Sequence, residues 1–174
     1  MFKFALKYGI IAGLISISAI TIGLVLGGAN SGASSQLLGY AIMLLALSVI
    51  YFAIRRYRDT VLGGVIRFGQ AALLGIIISA IAGVAYVAAW EVYLAFSGTE
   101  FIDGYIAGTV EKKQAAGLSA AALEAEIEKL NGIKDNYAKP WIRLPMTFTE
   151  IFPVGLLVSL ISAAILRTRA PAKD

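Results

Sequence analysis

The chain has 174 residues, 59% of them hydrophobic and only 15% charged, with a mean hydropathy of +0.79; water-soluble domains charge about a quarter of their residues, so this composition is matched to lipid. The formal charge of +4 arises from 15 Lys and Arg against 11 acids, and the basic residues cluster beside apolar runs with no interleaved aromatic stripe, which excludes a nucleic-acid surface and points to membrane orientation. Cysteine and histidine are both absent, which removes disulfides, thiolate or imidazole metal sites and imidazole acid–base chemistry, and no cofactor is expected.

The predicted fold is all-α: a single membrane domain over 1–174 with four transmembrane helices and an extra helical hairpin between the third and fourth. A helix needs roughly 20 residues to cross a hydrocarbon layer about 30 Å thick, and four apolar segments meet that length, at about 4–26, 37–54, 68–96 and 147–166. The first follows Lys3 and Lys7 as a secretory signal would, but it exceeds the signal's apolar core of about 7–15 residues and is expected to remain as a span. Orientation follows from cationic connections, which stay in the cytoplasm. Lys3 and Lys7 flank the first span, Arg55, Arg56, Arg58 and Arg67 fill the second connection, and Arg167, Arg169 and Lys173 follow the fourth span. The connection at 27–36 carries no charge. Both termini are therefore expected in the cytoplasm.

The insertion at 97–146 mixes six Lys and Arg with seven acids and is expected outside. Its first helix is predicted at about 101–116, where Ile102, Tyr105, Ile106, Thr109, Val110 and Lys113 recur at helical spacing. Gly117 marks a turn, Ser119 caps a second helix with the apolar stripe Leu123, Ile127 and Leu130, and Asn131 with Gly132 is expected to stop it. Two helices this short are marginal alone, so the pair is expected to pack on itself or on the membrane surface. Pro140, Trp141, Arg143 and Pro145 read as a stiff return segment, with Trp141 at interfacial depth.

Small residues recur every fourth position: Gly9 and Gly13, Gly23 and Gly27, then Ala71, Gly75, Ser79 and Gly83, and finally Gly155, Ser159 and Ala163. Such stripes let backbones approach in lipid, and the spacing allows packing within one chain or a seam between two copies. Two carboxylates, Glu91 and Glu150, fall near span ends at equal depth, where they are expected either to be solvated among headgroups or to form a shallow polar site with each other, with Arg143 or with Lys139. Pro153, followed by Gly155, predicts a kink in the last span. The sequence holds no phosphate-cradling glycine loop, nucleophile elbow or zinc-protease helix.

Four segments together are distinctive. Gly-Gly-Val-Ile-Arg-Phe-Gly-Gln-Ala before the third span, Trp90-Glu91-Val92-Tyr93 at its end, Tyr137-Ala138-Lys139-Pro140 before the return, and Met146-Thr147-Phe148-Thr149-Glu150-Ile151-Phe152-Pro153 opening the fourth span resemble the bacterial membrane proteins grouped as domain of unknown function 4199. The resemblance covers essentially the whole chain. It implies four spans with a variable outer segment, and a Gram-negative source, hence the bacterial inner membrane with that segment periplasmic; it implies no activity and no site residue. The expected role is that of a non-enzymatic interaction or structural membrane protein, its partners being the bilayer and either a second copy or another membrane protein. The alternative is a small transporter or channel subunit with a polar route at Glu91 and Glu150.

Overall fold

The computed structural model describes the backbone of residues 1–27 and 33–168 and the side chains of residues 1–18 and 40–168. Residues 28–32 of the uncharged connection at 27–36, the surroundings of Gly23 and Gly27, and Arg169 and Lys173 lie outside the described residues. Every regular element among the described residues is an α-helix: α1 Phe2–Gly27, α2 Ala33–Leu47, α3 Val49–Val61, α4 Phe68–Ser97, α5 Glu100–Ala115, α6 Ala120–Tyr137 and α7 Pro140–Leu166. Three helical stretches, Tyr40–Val61, Phe68–Ser97 and Pro140–Leu166, are long and apolar enough to cross a membrane.

α4 is the centre of the bundle, packing along α1 on one side and α7 on the other, while α2 and α3 close against α1 and α7. Large apolar side chains such as Leu45, Phe52, Val84, Leu157 and Ile165 cover the outside and are all more than half exposed. An outer surface of this kind suits lipid tails. The interior is built largely from small residues, with Ala71, Ala82 and Ala163 fully buried beside Leu47, Ile54, Leu74 and Ile78.

Close backbone approach explains that choice. A Cβ added at Gly9 would stand 2.6 Å from the Cβ of Ile81, and one at Gly13 would stand 2.6 Å from the Cβ of Ala85, so α1 rides directly on α4. On the opposite side of α4 the two stripes interlock: a Cβ at Gly75 would lie 2.7 Å from the Cβ of Ser159, and one at Gly155 would lie 2.7 Å from the Oγ of Ser79. The Oγ atoms of Ser79 and Ser159 are 3.0 Å apart, and each lies within bonding reach of the carbonyl one turn back, Gly75 O and Gly155 O. Since each hydroxyl has a single proton, one donates along its own helix and the other across the interface. The small-residue stripes with described surroundings thus pack within the chain.

Several helix ends differ from the hydropathy boundaries. α2 and α3 form a nearly continuous rod, interrupted only at Ser48, whose Oγ donates to Leu45 O at 2.6 Å. The rod continues to Val61, so Arg55, Arg56 and Arg58 sit on helix and not in a connection. Helix ends where backbone requires it, and here that is Gly63 and Gly64, both in the left-handed region with φ of 65° and 94°. α6 passes through Asn131 and Gly132 to Tyr137; burial of Leu130 offsets the roughly 1 kcal/mol that a helical glycine costs. The expected stiff return segment is helix as well. Pro140 occupies the first helical position, where its missing N–H is harmless, and α7 runs unbroken through Pro145 and Pro153. Gly117 turns the hairpin with φ 80°, and Ser119 caps α6 by accepting the Ala122 N–H.

At the opposite end of the bundle, the backbone N–H of Ile66 donates to Thr168 Oγ1 at 2.7 Å and the Thr168 N–H donates back to Ile66 O at 3.0 Å. The turn between α3 and α4 is thereby tied to the end of α7.

The interlocked glycines set a sharp stability test. Gly75→Leu is expected to lower stability in detergent by about 1–3 kcal/mol through overpacking, read as an earlier loss of helical circular dichroism on heating. Gly69, which faces open space on the same helix, is expected to accept alanine with no loss.

Candidate functional site

The helices that interlock at the middle of the bundle also set up its hairpin end. α4 and α7 run antiparallel, and Gly75 meets Ser159 as Ser79 meets Gly155. Sixteen residues further along α4, and sixteen residues back along α7, the same register brings Glu91 opposite Arg143. At 1.5 Å per residue that is about 24 Å from the serine contact.

The pair is a two-pronged one. Arg143 Nε donates to Glu91 Oε1 at 2.7 Å and Nη2 donates to Oε2 at 2.5 Å, while Nη1 donates to the backbone carbonyl of Tyr137 at 3.0 Å. A planar guanidinium fits a carboxylate in this fork, giving directional as well as electrostatic strength. Both side chains are largely covered, at 15% exposure for Arg143 and 29% for Glu91. The Tyr137 ring also lies under the guanidinium, 5.7 Å from ring centre to Cζ, and its hydroxyl accepts the indole N–H of Trp90 at 2.5 Å. Trp90 in turn stacks on Tyr93 and meets Phe101 edge to face. Burial pushes the Tyr137 phenol above its ordinary value, so it stays protonated at neutral pH. Side chains from α4, α5, α6 and α7 are thus joined in one contact set.

Beside this set opens a cleft of about 300 Å³, lined by Glu91, Arg143, Tyr137 and Lys134 together with Thr99 and the apolar Leu94, Ala95 and Ile102. Lys134 stands at its edge and donates to Asp103 Oδ1 at 2.5 Å. The ammonium, with help from the Thr99 hydroxyl, holds the Asp103 carboxyl below the usual carboxylate range. Farther along the hairpin, Lys113 and Glu126 pair at 2.7 Å, and Glu126 is likewise held low by its partner. These two ion pairs are exposed and screened, and contribute alignment more than stability.

The sequence-selected residues divide. Glu91 and Arg143 come together. Glu150 does not join them: it is exposed on the flank of α7, with the Tyr86 phenol as its neighbour, and among the described residues no hydrogen bond links it to Arg143 or Glu91. Lys139 faces Asn136 at 3.4 Å. Gly75, Ser79, Gly155 and Ser159 form the α4–α7 crossing, and Gly83 receives the Phe148 ring, whose Cε2 lies 2.7 Å from where a Cβ would stand. Lys134, Thr99 and the bridging role of Tyr137 had no signal in spacing alone, because they reach the site only through the fold of the hairpin. The described residues contain no group of three acidic, histidine or cysteine side chains placed to hold a metal ion.

An all-helical bundle with lipid-suited flanks, an interlocked small-residue core and an ion pair at one end belongs to the class of helical membrane proteins. Within that class the chain matches, over residues 7–168, the family described as "Protein of unknown function (DUF4199)", and it is a member of that family. No curated protein and no solved structure matches the chain.

Removing Arg143 leaves a covered carboxylate without its partner. Arg143→Ala is expected to cost about 2 kcal/mol, which corresponds to an unfolding midpoint roughly 4–8 °C lower in a detergent melt. Arg143→Lys, which keeps the charge but not the fork, is expected to fall between alanine and the parent.

Proposed function

We propose that the protein is a non-enzymatic, four-span inner-membrane protein that works by presenting its hairpin, α5 and α6, to a partner outside the cytoplasm. α1 supplies the additional span: its 26 residues reach about 39 Å, and the sequence at 4–26 carries no charge beyond Lys7. Both termini lie in the cytoplasm on this reading, with Lys3, Lys7 and the arginines of α3 on that side.

The observation that carries the reading is the manner in which the hairpin is fixed. The Glu91–Arg143 fork, the Arg143 bond to Tyr137 and the Trp90–Tyr137 bond clamp α6 onto the bundle end. A rigidly held, solvated helix pair is suited to recognition, since little ordering entropy remains to be lost on binding. Its surface includes exposed Tyr105, Leu118 and Ile133 amid mixed charge. Chemistry at the same place lacks the necessary groups. Glu91 is occupied by two charge-assisted bonds, and neither a nucleophile nor an orienting base accompanies it.

A transport role draws less support, because the two carboxylates that would line its route have different neighbours: Arg143 for Glu91 and Tyr86 for Glu150. Photo-crosslinkers at Leu118 and Ile133, introduced singly in cells, are expected to give a discrete adduct with one membrane or periplasmic protein, or with a second copy. Absence of any adduct from the hairpin, coupled with proteoliposome flux that Glu91→Gln abolishes, would overturn the recognition role in favour of transport.

A further inference from the structure

Glu150 is the carboxylate that the ion pair leaves out, and the same helix register sets its depth. Along α7 it lies seven residues from Arg143 toward the middle of the bundle, about 10 Å at 1.5 Å per residue. Arg67 and Glu91 stand toward the two ends of α4, about 36 Å apart. A hydrocarbon layer about 30 Å thick fits between them and takes in Glu150. Its side chain is exposed there, on a helix flank that otherwise shows Met146, Pro153 and Leu157. An ionisable group on the outside of a span at this depth is costly unless something meets it.

The flank offers acceptors and no spare donor. Tyr86, buried at 6% exposure, sets its phenol beside the carboxylate, one donor for a group with about four lone-pair sites. Pro153 has no N–H to give the Thr149 carbonyl one turn back, so that carbonyl lacks its ordinary helical partner. The Thr149 hydroxyl donates its own proton to Met146 O at 2.8 Å. Lipid tails supply no donor to either group.

We propose that this flank of α7 docks a transmembrane helix of a different protein, one that carries a lysine or arginine in the half of the bilayer nearest the hairpin. The cation meets Glu150 and the Thr149 carbonyl. A second copy inserted the same way does not supply it. Residues 8–54 contain no Lys or Arg. Gly9 abuts Ile78 and Ile81 while Gly75 abuts Ser159, which sets Lys7 about 9 Å farther from the hairpin than Glu150. Helical side chains tilt toward their own N-terminus, and α1 and α7 begin at opposite ends of the bundle, so Lys7 and Glu150 point apart. Arg143 of every copy is held by its own Glu91. The contact rests on the membrane placement and topology proposed above but not on the partner-binding role of the hairpin.

Co-expression with a defined probe tests it: a single-span Leu–Ala helix whose basic N-terminal flank holds that end in the cytoplasm, carrying one lysine in its outer third, one in its inner third, or none. The full chain, purified from bacterial membranes in mild detergent, is expected to retain the outer-third helix about tenfold more than the lysine-free one. Glu150→Gln, a nearly isosteric change at an exposed position, is expected to remove that preference. Pro153→Ala returns an N–H to the Thr149 carbonyl and is expected to reduce the preference about threefold; no change there overturns the carbonyl's part. The comparison of probes uses the parent chain, so it decides even where a variant fails to fold. Retention of the inner-third helix in place of the outer one would keep the contact and overturn the topology proposed above. Equal retention of all three helices, or an undiminished preference in folded Glu150→Gln, would overturn the docking face. A homodimer of the parent chain that Glu150→Gln disperses would overturn it too, by giving the face to a second copy.

Discussion

Within a bilayer, side chains gain nothing by leaving lipid for a protein interior of the same polarity, so helices associate only where their surfaces fit closely. The crossing of α4 and α7 meets that constraint. Gly75 admits Ser159, Gly155 admits Ser79, and the two hydroxyls are 3.0 Å apart at the point of contact. On the other face of α4, Gly9 and Gly13 admit Ile81 and Ala85. α4 is thus held between two backbones, while large apolar residues such as Leu45, Val84 and Ile165 cover the outside.

Register is the consequence that matters for the site. Once Gly75 is opposite Ser159 in an antiparallel pair, sixteen residues of helix on each side bring Glu91 and Arg143 to the same level of the bundle, where the long arginine side chain closes the fork. The ion pair then captures the Tyr137 carbonyl, and Tyr137 captures Trp90, so order propagates from the bundle into the hairpin. A covered ion pair is a poor source of net stability, because desolvation offsets much of its attraction. Its effect here is positional: a slip of either helix would leave a guanidinium and a carboxylate unmatched, which penalises alternative registers.

The all-helical, membrane-suited organisation was legible in the sequence because lipid thickness acts on composition over many residues. The stripes at Gly75, Ser79, Gly155 and Ser159, the turn at Gly117 and the cap at Ser119 were also legible, each being a local pattern with a local cause. Helix ends were not. Hydropathy falls at Arg55 and at Thr147, yet the hydrogen-bonded helix continues to Val61 and begins at Pro140, since an arginine or an initial proline changes solvent preference without breaking helix. Asn131 and Gly132 misled for the complementary reason, a weak local stop overridden by packing at Leu130. The pairing of Glu91 with Arg143 in preference to Glu150 depends on how two helices slide and rotate against each other across an intervening hairpin. No periodicity within either helix encodes that shift, and the same holds for Lys134 and Thr99 at the cleft.

The interlocked crossing of α4 and α7 is most directly tested by cysteine pairing, which the absence of native cysteine makes unambiguous. In membranes carrying Ser79→Cys together with Ser159→Cys, a membrane-permeant oxidant is expected to form a disulfide inside one chain, leaving a monomer band that shifts only on reduction. A crosslinked dimer in its place, or no disulfide at all in a protein that remains folded, would contradict the packing on which the register, the ion pair and the cleft depend.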